Sequence, residues 1–352
     1  KNAEAMKEEL KLTCDVYPDL GGVLGRKDIH IVIITTPSGA HLDPTIACAR
    51  AGKHVVVEKP LEITAERCDA IIDACEKNKV LLCTIFPSRF ADANQALKAA
   101  VDAGRFGRLT LGETTCKWWR TQAYYDEGGW KGTQALDGGG ALMNQAIHSV
   151  DLLLWMMGDA THVSGLTATL AHERIEVEDT AVAVIRFASG ALGVIQATTS
   201  VHPGYPKTIA VHGDKGSAVI EQEDVLRWDF TPPTPEDAQV KARFAQKVGA
   251  SGGSADPKAI SHEGHRRQLA DFVDAWDAES GPAAEAEVAR MIEMVEAATA
   301  VPQTMQGRIL EGVATNVDCE TIRQPVGVCA AITPFNFPAM VPLWFLPFAI
   351  GC

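Results

Sequence analysis

Apolar and polar positions in the first hundred residues follow two alternating rhythms. DIHIVIITTP (28–37) is a continuous apolar run closed by Thr-Thr-Pro, the pattern of a strand buried on both faces. HLDPTIACARAG (41–52) has helical spacing and stops at Gly52. KHVVVEKP (53–60) predicts the next strand, and TAERCDAIIDACEKNK (64–79) a helix with Thr64 as N-cap and lysines in its last turn. VLLCTIF (80–86) predicts a third strand and ADANQALKAAVDAG (91–104) a further helix. Strand and helix alternating through short loops predict an α/β domain over residues 1–106, built on a parallel sheet with helices on both faces.

After residue 107 the rhythm changes. RLTLGETTCKWW (108–119) predicts a strand, and GGGALMNQAIHSVDLLLWMMG (138–158) one helix between glycines. THVSGLTATL, TAVAVIRFASG, ALGVIQATTS, KTIAVHG and GSAVIEQ then predict successive strands, mostly antiparallel. They make an α+β domain over residues 107–280. Residues 231–258, rich in Pro, Gly, Ser and charge, predict a surface loop, and SHEGHRRQLADFVDAWDA (261–278) an amphipathic helix. A third segment, 281–352, is different again: beyond Arg323 it carries no charged side chain. Its length would suit a membrane span, but Pro334, Pro338, Pro342 and Pro347 each remove a helical hydrogen bond, which argues against one. The run reads as core material of a larger fold.

Composition narrows the function classes. The net charge of −13 disfavours nucleic acid and anionic membrane as partners. Nine cysteines are scattered without a C-x-x-C pair, which points to reduced thiols and a cytoplasmic location. No segment has the make-up of a signal peptide, and no cluster has metal-ligand spacing.

Two constellations carry chemistry. Glu58-Lys59-Pro60 closes a predicted parallel strand, at the sheet edge where ligands of such folds bind. A lysine there orients a substrate oxygen or lowers a neighbouring pKa, but a lysine simply leaving a strand for solvent fits the tripeptide equally. In GGGALMNQAIHSVD, a continuous helix would put Asn144 and His148 on one face with Asp151 a turn further on. The three glycines would let the backbone approach a ligand closely. His148 is a candidate general base, against the blander reading of a satisfied structural histidine.

TTPSGAH, VVVEKPL and GGGALMNQAIHSVDLLLW together resemble the glucose–fructose oxidoreductase/inositol dehydrogenase (Gfo/Idh/MocA) family over roughly residues 1–280. The resemblance implies a Rossmann domain that binds NAD or NADP, and oxidation of a sugar, sugar-nucleotide or cyclitol hydroxyl. It implies that Lys59 contacts nicotinamide and substrate, and that His148 takes the hydroxyl proton. Thr36, Pro37 and His41 would line the cofactor, with Glu58 and Arg89 nearby. Asn144 stands where inositol dehydrogenases usually have Asp, which tells against a strict inositol 2-dehydrogenase. KWWRTQAYYDEGGWKG (117–132) is similar to members acting on nucleotide-linked sugars, making Lys117, Arg120, Tyr124 and Trp130 substrate contacts; core packing of the tryptophans fits as well. A homo-oligomer through the sheet of the second domain is a further expectation.

Two features depart from that family. No G-x-G-x-x-[GA] occurs, so the family's first βαβ unit is expected to be missing. The alternative reading is therefore an inactive fragment or fusion remnant that keeps a sugar pocket and holds no dinucleotide. In addition, residues 287–352, with ITPFNFPAMVP, resemble the N-terminal part of methylmalonate-semialdehyde dehydrogenase, of the aldehyde dehydrogenase superfamily, and the join is expected near 280–287. That resemblance would give Asn336 an oxyanion-holding role. Its nucleophilic cysteine would lie beyond Cys352, so no aldehyde dehydrogenase activity is expected.

Overall fold

The computed structural model describes residues 2–9, 11, 13–127, 129–245, 262–280, 309–314 and 317–320. Contacts divide the chain into two units: residues up to Ile85 together with those from Gln268 onward, and Phe86–Arg267.

The first unit begins with α1 (Asn2–Glu9) and the single turn α2 (Gly21–Leu24). Strands β1 (Ile31–Ile34), β2 (His54–Val57) and β3 (Leu82–Thr84) form a parallel sheet in the order β1-β2-β3. Helices α3 (Leu42–Arg50) and α4 (Ala65–Asn78) connect them, as the alternation predicts. Thr64 caps α4 by accepting the Arg67 N–H. Because side chains alternate across a strand, Val32, Ile34, Val55 and Val57 gather with Val23, Ile29 and Cys48 in one apolar cluster. Ala49, Ile71 and Cys75 form another. The long helix α9 (Glu263–Ser280) contributes its later turns to this unit, where Trp276 stacks on His30 with ring centroids 5.4 Å apart.

The second unit carries α5 (Asp92–Asp102), β4 (Leu109–Lys117), α6 (Gln122–Asp126), a π-turn (Ala141–Gln145) and α7 (Ile147–Met157). Six strands follow: β5 (Ala160–Ala168), β6 (Thr180–Phe187), β7 (Leu192–Thr198), β8 (Thr208–Gly213), β9 (Gly216–Glu221) and β10 (Asp224–Phe230). They join β4 in a seven-stranded sheet of order β10-β9-β8-β4-β7-β6-β5. All pairs are antiparallel except β4 with β7. Helix α7 packs Leu152, Leu153, Met156 and Met157 into the core with Phe106, Ile185, Phe187 and Val211. Gly112 of β4 permits this approach, since a Cβ there would lie 2.7 Å from Met157 Cγ and 2.9 Å from Leu153 Cδ1.

Two expectations are corrected. Residues 138–158 are not one helix: the glycines stay outside, and 141–145 widen into a π-turn, with the Ala146 N–H donating to Ala141 O at 2.9 Å, before α7 begins. Part of the predicted loop 231–258 is the helix α8 (Pro235–Arg243). A capping box between Thr234 and Asp237, with proline in the first turn, starts it despite the polar composition. Strand β10 escaped the pattern reading altogether. Of segment 281–352, only the antiparallel pair β11 (Ile309–Ala314) and β12 (Val317–Glu320) is described, so Asn336 and the proline-rich run lie outside the described residues. No helix among the described residues is long and apolar enough to cross a membrane.

Candidate functional site

In the first unit the chemistry-bearing residues sit where β1 and β2 end. Glu58 continues β2 through its N–H to Ile34 O, and its carboxylate accepts the Lys59 N–H at 3.0 Å. Burial pushes the Glu58 carboxyl up, against the opposing charge and amide of Lys59. The Lys59–Pro60 bond is cis. Thr36 Oγ1 donates to Ala40 O at 2.9 Å and closes the short 3-10 turn Ser38–Ala40. Glu62, 3% exposed, accepts the Leu42 N–H at the start of α3, the Ile63 N–H, and both arms of the Arg67 guanidinium. Those contacts hold the Glu62 carboxyl below its usual range although burial acts the other way.

His41 follows the same 3-10 turn, at the start of α3. Its ring is 1% exposed and faces three backbone carbonyls rather than solvent.

In the second unit the decisive contacts surround the π-turn. The N–H groups of Gly140 and Leu142 donate to the two carboxylate oxygens of Glu178 at 2.9 and 2.8 Å, and the Ala141 N–H donates to Glu178 O at 2.9 Å. These are turn-start donors with no partner inside the turn. Gly140 is needed for the protein's own backbone, not for a ligand: a Cβ there would lie 1.7 Å from Glu178 O.

Asn144 lies in the π-turn, four residues before His148 of α7. Asn144 donates from Nδ2 to the buried Asp137 and accepts from Gln145 Nε2 at 3.3 Å. His148 lies in the first turn of α7, half-buried, its ring edge-on to Phe86 at 6.1 Å. Asp151 is held by Arg89 in a two-pronged ion pair, Nε to Oδ2 at 2.8 Å and Nη2 to Oδ1 at 2.6 Å. Arg89 therefore fastens the 3-10 turn Pro87–Phe90 to α7.

Of the four predicted substrate contacts, Arg120 and Tyr124 are brought together. The buried Arg120 guanidinium lies 4.9 Å from the Trp118 ring and 5.5 Å from the Tyr124 ring, and reaches Gln145 Oε1 at 3.4 Å. Gln145 in turn donates to the Tyr124 hydroxyl at 3.1 Å. Lys131, unnoticed in the sequence, sets its ammonium 3.9 Å from the Tyr124 ring centroid. Burial lowers the proton affinity of Arg120 and Lys131 and raises that of the Tyr124 phenol. Lys117 and Trp130 are both half-buried, and their carbonyls accept from Tyr205 and Thr133 respectively.

Beneath this cluster lies a pair the sequence did not signal. His172 Nδ1 is 3.0 Å from Asp179 Oδ2, and His172 Nε2 is 2.8 Å from Arg120 O. Asp179 is fully buried, and burial raises its pKa. The amides of Ala171 and Leu170 and the His172 ring outweigh that effect and bring it down to about 2.

Three family models match the chain. Residues 1–86 match the oxidoreductase family, NAD-binding Rossmann fold; residues 94–219 the GFO/IDH/MocA C-terminal domain; and residues 261–352, which include α9, the aldehyde dehydrogenase family. Levoglucosan dehydrogenase of Pseudarthrobacter phenanthrenivorans is 29% identical over 60% of this chain and 61% of its own length. The chain thus spans about three fifths of that curated relative. Malonate-semialdehyde dehydrogenase 1 of Bacillus licheniformis is 48% identical over 41% of this chain and 27% of its own. Among solved structures, the WlbA dehydrogenase from Chromobacterium violaceum, in complex with NADH and UDP-GlcNAcA, is 37% identical with a TM-score of 0.65, covering 70% of this chain and 72% of that one.

Two outcomes follow from the geometry. Gly140→Ala forces a Cβ into the Glu178 carbonyl, so the urea midpoint should fall by the equivalent of about 3 kcal/mol. The depressed Asp179 pKa contributes stability that is fully present above the ordinary value of 3.8 and lost as pH falls through about 2. The stability difference between the parent and Asp179→Asn, read by urea titration at successive pH values, should therefore shrink by about 2 kcal/mol across that window.

Proposed function

The chain belongs to the GFO/IDH/MocA oxidoreductase family, and from that premise we propose that it oxidises a hydroxyl of a sugar, sugar-nucleotide or cyclitol with NAD or NADP. The observation that carries the reading is Lys59, set at the carboxyl end of a parallel strand within the segment that matches the NAD-binding Rossmann model. The residues present suit the nicotinamide end of such a cofactor: Thr36 and Pro37 lie just beyond β1, and Glu58 and Lys59 just beyond β2. No glycine-rich phosphate loop occurs in the sequence, so contacts to the pyrophosphate are not assigned.

When bound, the dinucleotide supplies the hydride acceptor. Lys59, charged and compact, holds the substrate oxygen and favours its ionised form. His148 accepts the hydroxyl proton as general base. Asn144, fixed by Asp137 and Gln145, orients a substrate oxygen. Arg120, Tyr124 and Lys131 form a face of cations and an aromatic ring that suits a sugar joined to a nucleotide, a reading supported by the WlbA likeness; Lys117 and Trp130 are proposed to extend it.

A second copy of the chain is proposed to cover the outer sheet face. Along β6, Val182 and Val184 point outward, while Ala181, Ile185 and Phe187 are buried. Leu166 of β5, paired with Val182, is 84% exposed beside them on that face. An apolar face of this kind is the usual mark of association. Light scattering should find the parent as an oligomer and Leu166→Asp as a smaller species; equal masses would refute the proposed contact.

Titration with NADH, followed by protein fluorescence, tests the cofactor directly. Quenching is expected; its absence would favour a fragment that holds no dinucleotide. His148→Ala should lower turnover by about 10²–10⁴-fold while NADH affinity stays unchanged. Near-parent turnover would remove His148 from the role of base.

A further inference from the structure

In the second unit a small cavity of about 10 Å³ lies among α5, α7 and strands β4, β8 and β9, with Asn94, Ser149, Lys207 and Gln222 in its lining. Its polar groups do not balance. Lys207 Nζ carries three donors, and one of them goes to Ser88 Oγ at 2.8 Å. Burial lowers the proton affinity of this amine more than Cys116 and Glu223 raise it. Asn94 is 2% exposed, and its Oδ1 accepts from no described residue. Its amide is fixed the right way round, because Nδ2 donates to Ser88 O at 2.8 Å. Gln222 Oε1 is likewise buried with no donor among the described residues.

The neighbouring threonines do not meet this need. Thr114 Oγ1 donates to Thr208 O at 2.8 Å, and Thr208 Oγ1 meets Thr115 Oγ1 at 2.7 Å. A buried acceptor left unmet costs more than an ordinary hydrogen bond returns. Whatever meets these groups must accept from an ammonium and donate to two amide oxygens. The ammonium opposes a metal cation, and the two oxygens oppose an anion. A group that both donates and accepts fits all three, and a volume on the order of 10–15 Å³ is that of one water. Buried waters make about three hydrogen bonds, the number offered here. Were the Gln222 amide turned over, the water would accept from its Nε2 instead.

We propose that this cavity is the site of one structural water, which accepts from Lys207 Nζ, donates to Asn94 Oδ1 and Gln222 Oε1, and so ties the β9–β10 turn to the 3-10 turn Pro87–Phe90. Both of its other partners reach Ser88 in that turn, Lys207 at the hydroxyl and Asn94 at the carbonyl. On the far side the Gln222 N–H donates to Lys207 O at 2.8 Å, which holds Gln222 against the start of β8. The site uses none of the residues assigned to hydride transfer and does not rest on the oxidoreductase reading.

A crystal structure of the full chain tests the site. It should show one peak of density within about 3.2 Å of Lys207 Nζ, Asn94 Oδ1 and the Gln222 amide. Lack of that peak, or a direct bond from Nζ to either amide oxygen, overturns the site. Hydrogen exchange then reads the tie. Gln222 makes no direct hydrogen bond to residues 87–90, so it reaches them only through the water. Gln222→Met keeps the length of the side chain and removes the acceptor. The amides of Arg89 and Ala91, which close that turn on Phe86 O and Ser88 O, should then exchange about fivefold faster, the equivalent of one neutral hydrogen bond, while β5 and β6 stay unchanged. Unaltered exchange at Arg89 and Ala91 overturns the tie. Should Gln222→Met not fold, the density in the parent protein decides alone.

Discussion

A turn that begins with unpaired amides needs acceptors from elsewhere, and in the second unit one residue provides them. Glu178 offers its side-chain oxygens to Gly140 and Leu142 and its own carbonyl to Ala141. It stands two residues before β6, so the sheet itself holds the turn. Much else follows from where that turn is placed. Helix α7 leaves it with His148 in its first turn, Asp151 in reach of Arg89, and Leu152, Leu153, Met156 and Met157 in the core. His148 and the packing residues share one helix, so core burial against β4 also positions the imidazole.

The first unit solves a similar problem with similar chemistry. Glu62 takes the first amide of α3, as Glu178 takes those of the π-turn. In both places a carboxylate from a neighbouring segment meets backbone N–H groups, a charge-assisted contact roughly twice as strong as a neutral one. Three buried carboxylates are matched in this way: Asp151 by Arg89, Asp179 by His172 and three amides, and Asp237 by Arg105 and the Trp228 indole. A charge left alone in these positions would cost several kcal/mol. Geometry at the candidate site is therefore set by electrostatics beneath it as much as by shape.

Much of this was legible beforehand because it is local. Continuous Val and Ile runs mark β1 and β2, and glycines close α3 and α5. Glu58-Lys59-Pro60 directly follows the apolar run and marks the end of β2. The π-turn was not legible, since ALMNQAIHSVDLLLW has ordinary helical periodicity, and the residue that accepts its first amides, Glu178, is some forty residues away. Asp137 and His172 eluded the reading for the same reason: their partners are fixed by tertiary structure, not by spacing. Helix α8 was hidden by its composition, because proline and acidic residues mark a helix start as readily as a loop. The burial of His41 was not legible either, because the Thr36, Pro60 and Leu61 carbonyls around its ring come from two separate loops.

Strand β4 lies between β7 and β8, which follow each other in the chain yet do not pair. The linker of residues 199–207 has to bridge over it. During synthesis β4 leaves the ribosome before either neighbour exists, and must wait as a nascent strand with both edges bare. Were β7 and β8 to zip together as a hairpin first, the slot would close and β4 would be shut out. Correct assembly thus depends on β4 being captured before its two neighbours find each other, an ordering that makes this sheet's topology a matter of timing as well as of energy.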